Sequence, residues 1–472
     1  MEKTLKIFTD NYSGYSADIT FYPYTGGTIY IGIQDLPYDY NTDYYYGIYE
    51  IYILVFNKLC TLDYSPPVCD FSGSVISTSF VSTWKTDEAG FTASDQIGIV
   101  LDSSGTFDFV IDWGDGNTDP ITTWDQPDLI HTYNTIGTYT ITMTGVINGF
   151  SMQWYSGDSF KILSIQQWGN VKLIDGGGQF VNCVNLDLSM VNDVLDTSNL
   201  TSIDYMFGEC HSLTSVNNIE LWDISNLTSL YGLFVDCLLF NQNLNNLVVS
   251  GVTNMNAMFY GCPLFDQPLN NWDVSNVTDM GFMFYVCSSF NQPLNNWIVS
   301  GVTNMEYMFV GTQFDQPLNN WNVSGVTNMS AMFEQSPFNQ NINNWDVSNV
   351  INMSFMFEST VFDQPLSGWN VSNVVDMIRM FRLSQFNQDI GNWNISDVNS
   401  FADFMDGKTP STFSTTNLNS IYNGWSTKNP KPNLNISFGS AKYTLSGQPG
   451  KDTLTGSTMS GGYGWTITDG GI

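Results

Sequence analysis

Positive charge is what this 472-residue chain has least of: 13 Lys and Arg stand against 45 Asp and Glu, a formal net charge of −32. Between Leu173 and Gly407 the only Lys or Arg residues are Arg379 and Arg382. Nucleic-acid backbones need clustered cations, so the balance argues against DNA or RNA as a partner. An anionic membrane surface is disfavoured for the same reason. Histidine is rarer still. His131 and His211 are the only two, and neither falls in a Ser-His-Asp or metal-ligand spacing. No G-x-S-x-G, P-loop or H-E-x-x-H occurs. No run of 18 apolar residues occurs either, so membrane insertion through a helix is not expected. The first ten residues carry no apolar core and no small-residue cleavage site, so no secretory signal is expected there. These absences point away from catalysis. Paired carboxylates for glycoside cleavage stay open, because a roll of Asp and Glu does not settle them.

What is abundant is repetition. From residue 205 to 404 the phrase L/I-N-N-W-x-V-S-x-V-T-N-M-x-x-M-F-x-x-C-x-x-F-N/D-Q-P recurs. Its Trp falls at Trp222, Trp272, Trp297, Trp321, Trp345, Trp369 and Trp393, with Leu247 in the one gap. The spacings are 25, 25, 25, 24, 24, 24 and 24. So regular a period predicts a solenoid, in which each unit buries its apolar face only against its neighbours. Such a surface is extended rather than pocketed. Cysteine follows the same rule. Cys183, Cys210, Cys237, Cys262 and Cys287 share one repeat position at spacings of 27, 27, 25 and 25. They predict a column of small buried hydrophobes and not a disulfide framework or metal site. From the next repeat on, the position is lost with a one-residue deletion. Cys60 and Cys69 can pair, but their spacing does not decide it.

Within one repeat, Met255, Met258, Phe259 and Cys262 sit at i, i+3, i+4 and i+7, the apolar face of a two-turn helix. Thr253 and Asn254 are its candidate caps. Trp272 to Ser275 alternates in and out, as a short strand does. The unit expected is therefore a strand, a loop and a helix. Asn246, Asn271, Asn296, Asn320 and Asn344 are expected as a buried ladder between coils. About nine coils at roughly 4.8 Å each give a rod on the order of 40 Å.

This unit resembles the leucine-rich repeats of BspA-like surface proteins, since M-F-x-x-C-x-x-F is similar to their A-F-x-x-C-x-x-L. The likeness is strongest to the variety with Met-Phe and Asn-Gln-Pro-Leu-Asn-Asn-Trp found in bacterial, mycoplasmal and some viral surface proteins. It covers roughly residues 160 to 425. A parallel β-helix has a similar period and is the alternative fold.

A second signature lies at residues 107 to 145. W-G-D-G at Trp113 to Gly116, H-x-Y at His131 and Tyr133, and G-x-Y-x-I at Gly137 to Ile141 together resemble the PKD family of immunoglobulin-like sandwiches. Asp108, Asp112 and Asp115 are candidate calcium ligands through carboxylate oxygens, against a plainer reading as turn aspartates. No other cofactor is expected, and His131 reads as a corner hydrogen bonder. Residues 1–73 are Tyr-dense, with Tyr38, Tyr40, Tyr44, Tyr45, Tyr46, Tyr49 and Tyr52, and alternate as strands. The architecture expected is mixed α/β and multidomain. A Tyr-rich docking β-domain spans 1–73, a PKD-like sandwich 74–158, a repeat solenoid of 24–27-residue units 159–425, and a C-terminal cap 426–472.

The positions that vary between repeats are the candidate site. The row two residues past the first Met reads Ala257, Phe282, Tyr307, Ala331, Phe355 and Arg379. The row three further on reads Tyr260, Tyr285, Val310, Glu334, Glu358 and Arg382. Exposed aromatics in a regular array make a contact strip, with Phe282, Tyr307, Phe355, Tyr260 and Tyr285 as binding candidates; lateral packing between coils is the competing reading. The function expected is non-enzymatic surface display. A bacterial adhesin of this design needs an export signal, whereas a virion protein does not, so a head fibre, decoration protein or tail fibre on the virion surface is favoured. Its partners would be a capsid or tail protein through residues 1–73 and a host-surface protein or glycan through the repeats, with homo-oligomerisation compatible. A cell-surface adhesin and a carbohydrate-active β-helix enzyme are the alternatives.

Overall fold

The chain divides into two units, Met1–Ser77 and Thr78–Ile472. The structure, a computed structural model, describes residues 78–152 and 157–472 in full and, before them, the backbone of five strands. In the first unit β1 (Lys3–Phe8), β2 (Ser16–Phe21) and β3 (Ile31–Gly32) form an antiparallel sheet in that order. β4 (Tyr52–Val55) pairs antiparallel with β5 (Lys58–Thr61). The Tyr-rich docking face and the pairing of Cys60 with Cys69 lie outside the described residues.

The second unit begins with an antiparallel sheet. Its strands are β6 (Phe80–Lys85), β8 (Leu101–Asp112), β9 (Thr118–Ile121), β11 (Thr138–Phe150) and β12 (Ile162–Gln167), in the order β12-β6-β11-β8-β9, while β7 (Gln96–Gly98) pairs with β10 (Ile130–Thr132). Alternation sets the buried face: Phe80, Ser82 and Trp84 point in from β6 and their neighbours do not. Ile111, Trp113, Ile141 and Met143 complete this core. β12 belongs to both halves of the unit. It pairs with β6, and Ser164 within it forms a parallel bridge to Asp187 of the coils that follow.

The coils stack through one bridge each. Ser202, Ser229, Asn254, Asp279, Asn304, Asn328, Asn352, Asp376 and Ser400 form a continuous parallel ladder, one residue per coil. Each uses its own side chain to close the chain locally: Asn254 Oδ1 accepts from the Asn256 amide and Asp279 Oδ1 from the Gly281 amide. That is the Asx-turn preference of short polar residues.

The repeat is not helical, which corrects the helix expected over residues 255–262. Two four-residue turns run in tandem, closed by Met258 N to Met255 O (3.3 Å) and Cys262 N to Phe259 O (3.1 Å). At the third residue of each turn, Ala257 and Gly261 take φ of 55° and 69°. The alternate amides of Met255, Ala257, Phe259 and Gly261 donate to Asp279, Gly281, Met283 and Tyr285 of the next coil, at 2.8–3.0 Å. An α-helix would send those amides four residues back. Tandem turns repeat every four residues, close enough to 3.6 that the same side chains point inward. Met255, Met258, Phe259 and Cys262 are all fully buried. The strand expected at Trp272–Ser275 is absent too. Asp273 Oδ1 instead accepts from the Ser275 amide in another Asx turn, which gives the same in-out alternation.

Stacked columns fill the interior. Phe259, Phe284, Phe309, Phe333, Phe357 and Phe381 lie at centroid steps of 5.7–5.8 Å. Trp272, Trp297, Trp321 and Trp345 lie face to face at 6.4–6.5 Å and within 5° of parallel. Each indole N–H also finds an acceptor: Trp321 Nε1 donates to Leu294 O at 2.9 Å, and Trp272, Trp297, Trp345, Trp369 and Trp393 do the same one rung at a time. Burying one such side chain stabilises by about 1.5–3 kcal/mol, so the columns are the main source of cohesion. The one-residue deletion does not empty the cysteine position. Thr312, Ser336, Thr360 and Ser384 take it and donate to the carbonyl three residues back.

The asparagine ladder expected at Asn246, Asn271, Asn296, Asn320 and Asn344 is exposed at a corner. The hydrogen-bonded ladder runs instead from exposed Asn241 through half-buried Asp266, Asn291, Asp315, Asn339, Asp363 and Asn387. Each Oδ1 accepts the amide of the next member: Asn241 from Asp266, Asp266 from Asn291, and so on to Asn387. Asn and Asp alternate strictly. In-register carboxylates on adjacent rungs roughly 4.8 Å apart would repel, and alternation doubles their separation.

The last coil is covered by α1 (Thr415–Trp425), β13 (Asn435–Ser437), α2 (Gln448–Thr455) and β14 (Thr466–Thr468). Trp425 ends the tryptophan column, with its Nε1 on Ile390 O at 3.0 Å. Lys408 closes the cysteine–hydroxyl column: its buried ammonium donates to Ser384 O (2.6 Å) and Phe386 O (2.7 Å).

Candidate functional site

Every coil carries two left-handed residues four apart. At the first of them stand Tyr205, Gly232, Ala257, Phe282, Tyr307, Ala331, Phe355, Arg379 and Asp403. Their amides must reach the next coil, as with Phe282 N to Glu306 O and Tyr307 N to Ser330 O, both at 2.8 Å, and that requirement fixes φ near 55°. Glycine is the residue this conformation suits. A Cβ there costs about 1–2 kcal/mol. Phe282, Tyr307 and Phe355 adopt φ of 57°, 55° and 63°. The chain thus places rings where the backbone disfavours them.

The rings gather. Phe282 stacks on Tyr307 at 4.7 Å and 5°, Tyr260 stacks on Tyr285 at 4.6 Å, and Phe282 lies 5.8 Å from Tyr285. Phe355 stands apart, two rungs beyond Tyr307, with the Arg379 guanidinium 5.7 Å from its centroid. All five candidates are half-buried, so lateral packing accounts for part of their surface and a partly open strip remains. Ala257, Ala331, Val310 and Glu358 of the same rows are buried.

Carboxylates border the strip. Glu306 accepts from Asn304 and Asn328 side chains. Burial, and then the nearby Glu358 charge, raises the Glu334 carboxyl above its usual range. Burial, followed by the charges of Glu334 and Glu306, raises the Tyr307 phenol. Glu358 pairs with Arg382 (2.6 Å) and Arg379 with Asp403 (3.2 Å).

The aspartates proposed for calcium are not brought together. Asp112 Oδ1 accepts from the Gly114 amide, Asp115 Oδ1 from the Asn117 amide, and Asp108 is exposed. His131 Nε2 lies 2.9 Å from Asp115 Oδ2 and its ring stacks on Trp113 at 4.8 Å. Burial opposes the shift, yet bonds from His131 and Asn117 hold the Asp115 carboxyl below its ordinary value. Among the described residues, no group of three or more His, Cys, Asp or Glu gathers as a metal site. The five repeat cysteines are free and buried, and burial pushes their thiols up, which makes them poor nucleophiles.

Reading the repeat as a helix hid the left-handed positions. A signal for them exists: Gly261, Gly311 and Gly407 recur at the second left-handed position, with φ of 69°, 68° and 90°.

A family model described as "Mycoplasma protein of unknown function, DUF285" matches residues 148–262, 201–318, 229–341 and 310–418, which together run through more than half of the chain. The chain belongs to this family. The overlapping matches fall mainly on the stacked coils, and each spans several of them. No curated protein and no solved structure matches the chain.

Proposed function

We propose that this DUF285 chain is a non-enzymatic display protein, a BspA-like repeat solenoid that presents its aromatic strip to a molecule on another surface. One observation carries the proposal: Phe282, Tyr307 and Phe355 occupy left-handed positions that Gly232 shows can be filled by glycine. Residues held in unfavourable backbone conformations concentrate at functional sites. A purely structural coil could carry glycine at this position, as the coil of Gly232 does. Residues 74–158 then act as a PKD-like spacer and residues 1–73 as the docking end, in a virion setting as head fibre, decoration or tail fibre. A cell-surface adhesin is the second reading, favoured by the mycoplasmal description of the family.

The test replaces Phe282, Tyr307 and Phe355 together with Ser in the full chain. Attachment to cells of the source's host or community should fall while the circular-dichroism spectrum and unfolding midpoint hold. Undiminished attachment with an intact fold defeats the proposal. Immunogold microscopy of source cells and of particles shed from them separates the two settings.

A further inference from the structure

We infer that the strip docks a cationic segment of a protein partner, seating an arginine or lysine side chain against Tyr307 between Glu306 and Glu334; this rests on the strip being a contact surface. The chain supplies its own precedent two rungs away. Arg379 and Arg382 are the only Lys or Arg residues between Leu173 and Gly407, and both lie on this strip. Arg379 covers the Phe355 ring at 5.7 Å while pairing with Asp403, and Arg382 pairs with Glu358. Aromatic faces beside carboxylates attract cations, through the ring quadrupole and through charge.

At Tyr307 the same elements stand with no cation paired to them, although the Arg379 charge reaches Glu334. Phe282 stacks on one side of the ring, and the next rung carries only Ala331. Glu306 follows Phe282 across the coil interface, its carbonyl bonded to the Phe282 amide, and Glu334 borders the phenol. Among the described residues no Lys, Arg or His forms an ion pair with Glu306 or Glu334. A neutral sugar would use the rings but bring no countercharge to Glu306 and Glu334, whose present partners are the neutral amides of Asn304, Asn328 and Gln335. A net charge of −32 with this local pattern favours a basic segment.

The experiment titrates full-length protein with a capped peptide of alternating Gly and Arg, a matched Gly-Glu peptide, and cellotetraose, read by fluorescence anisotropy and calorimetry. Tyr307→Asn removes the ring and suits the left-handed backbone, so the fold is retained. It should weaken the Arg peptide about fivefold, the scale of one cation–π contact. Glu334→Gln should weaken it comparably, and raising salt from about 50 to about 300 mM should weaken both wild type and variants. Asp273→Asn with Asp346→Asn, on another face of the coils, should leave the affinity unchanged. Equal affinity for wild type and Tyr307→Asn would mean only general attraction to an acidic protein and overturns the inference. So does binding of cellotetraose without the Arg peptide, or self-association that Tyr307→Asn abolishes. If the Arg peptide fails while surface attachment still depends on the strip, the cation assignment alone falls and the display reading stands.

Discussion

Replacing Gln335 and Ser359 with glycine should stabilise this protein, against the usual effect of glycine. Both side chains are exposed, and both residues occupy the second left-handed position of their coils, with φ of 55° and 57°. Their amides donate to Glu358 O (3.0 Å) and Arg382 O (2.8 Å), bonds that glycine keeps. Removing the Cβ relieves about 1–2 kcal/mol of left-handed strain. The greater freedom of glycine in the unfolded chain returns roughly 0.5–1 kcal/mol. The net gain is about 0.5–1 kcal/mol at each site. In the helix suggested by the sequence pattern, the same changes would instead destabilise by about 0.5 kcal/mol each. The sign therefore discriminates between the two backbones. Thermal unfolding of the Gln335→Gly, Ser359→Gly double variant should show a midpoint above wild type, and amide exchange should slow in the coils around Phe333 and Phe357. A lowered midpoint would refute the tandem-turn coil.

Three further outcomes follow from the packing. Trp321→Phe loses the bond to Leu294 O and part of the stacked ring, and should destabilise by roughly 2 kcal/mol in denaturant titration; a change near zero would show that the tryptophan column contributes little. Asn291→Asp puts three carboxylates on successive rungs while keeping every acceptor. At pH 7 it should cost about 1–2 kcal/mol. Mutual repulsion raises the new group's folded pKa, so the deficit should shrink as pH falls through 4, and an unaltered midpoint at pH 7 would remove the charge explanation for the alternation. Burial pushes the Lys408 ammonium down to about 8 from its ordinary 10.5. Between those values the unfolded chain binds the proton more tightly, so the penalty for burying it is relieved as pH rises. The stability of wild type relative to Lys408→Met should climb by about 2–3 kcal/mol from pH 8 to 10; a flat difference would show that Ser384 and Phe386 hold the ammonium fully charged.

Much of the interior was legible in the residues. Met255, Met258, Phe259, Cys262 and Trp272 read as inward from spacing, and each is buried. The path of the backbone between them was not, because a helix of period 3.6 and turns of period four bury the same positions. The ladder through Asn241 and Asp266 is less conspicuous in the sequence than the Asn-Asn pairs, whose second members sit exposed at a corner. At the candidate site, variation between repeats singled out Phe282, Tyr307 and Phe355. Their left-handed backbone, and Arg379 lying over Phe355, depend on contacts between residues 23 or 24 apart.

By itself, then, the sequence determined the period, the side chains that face inward and the shortage of positive charge, because those follow from residue type and spacing along one chain. Whether each amide bonds within its own coil or to the next, and hence which residues become left-handed and which rings meet, was decided only when neighbouring coils came into register. A hydrogen bond between coils is a property of two segments at once, and no single repeat encodes it.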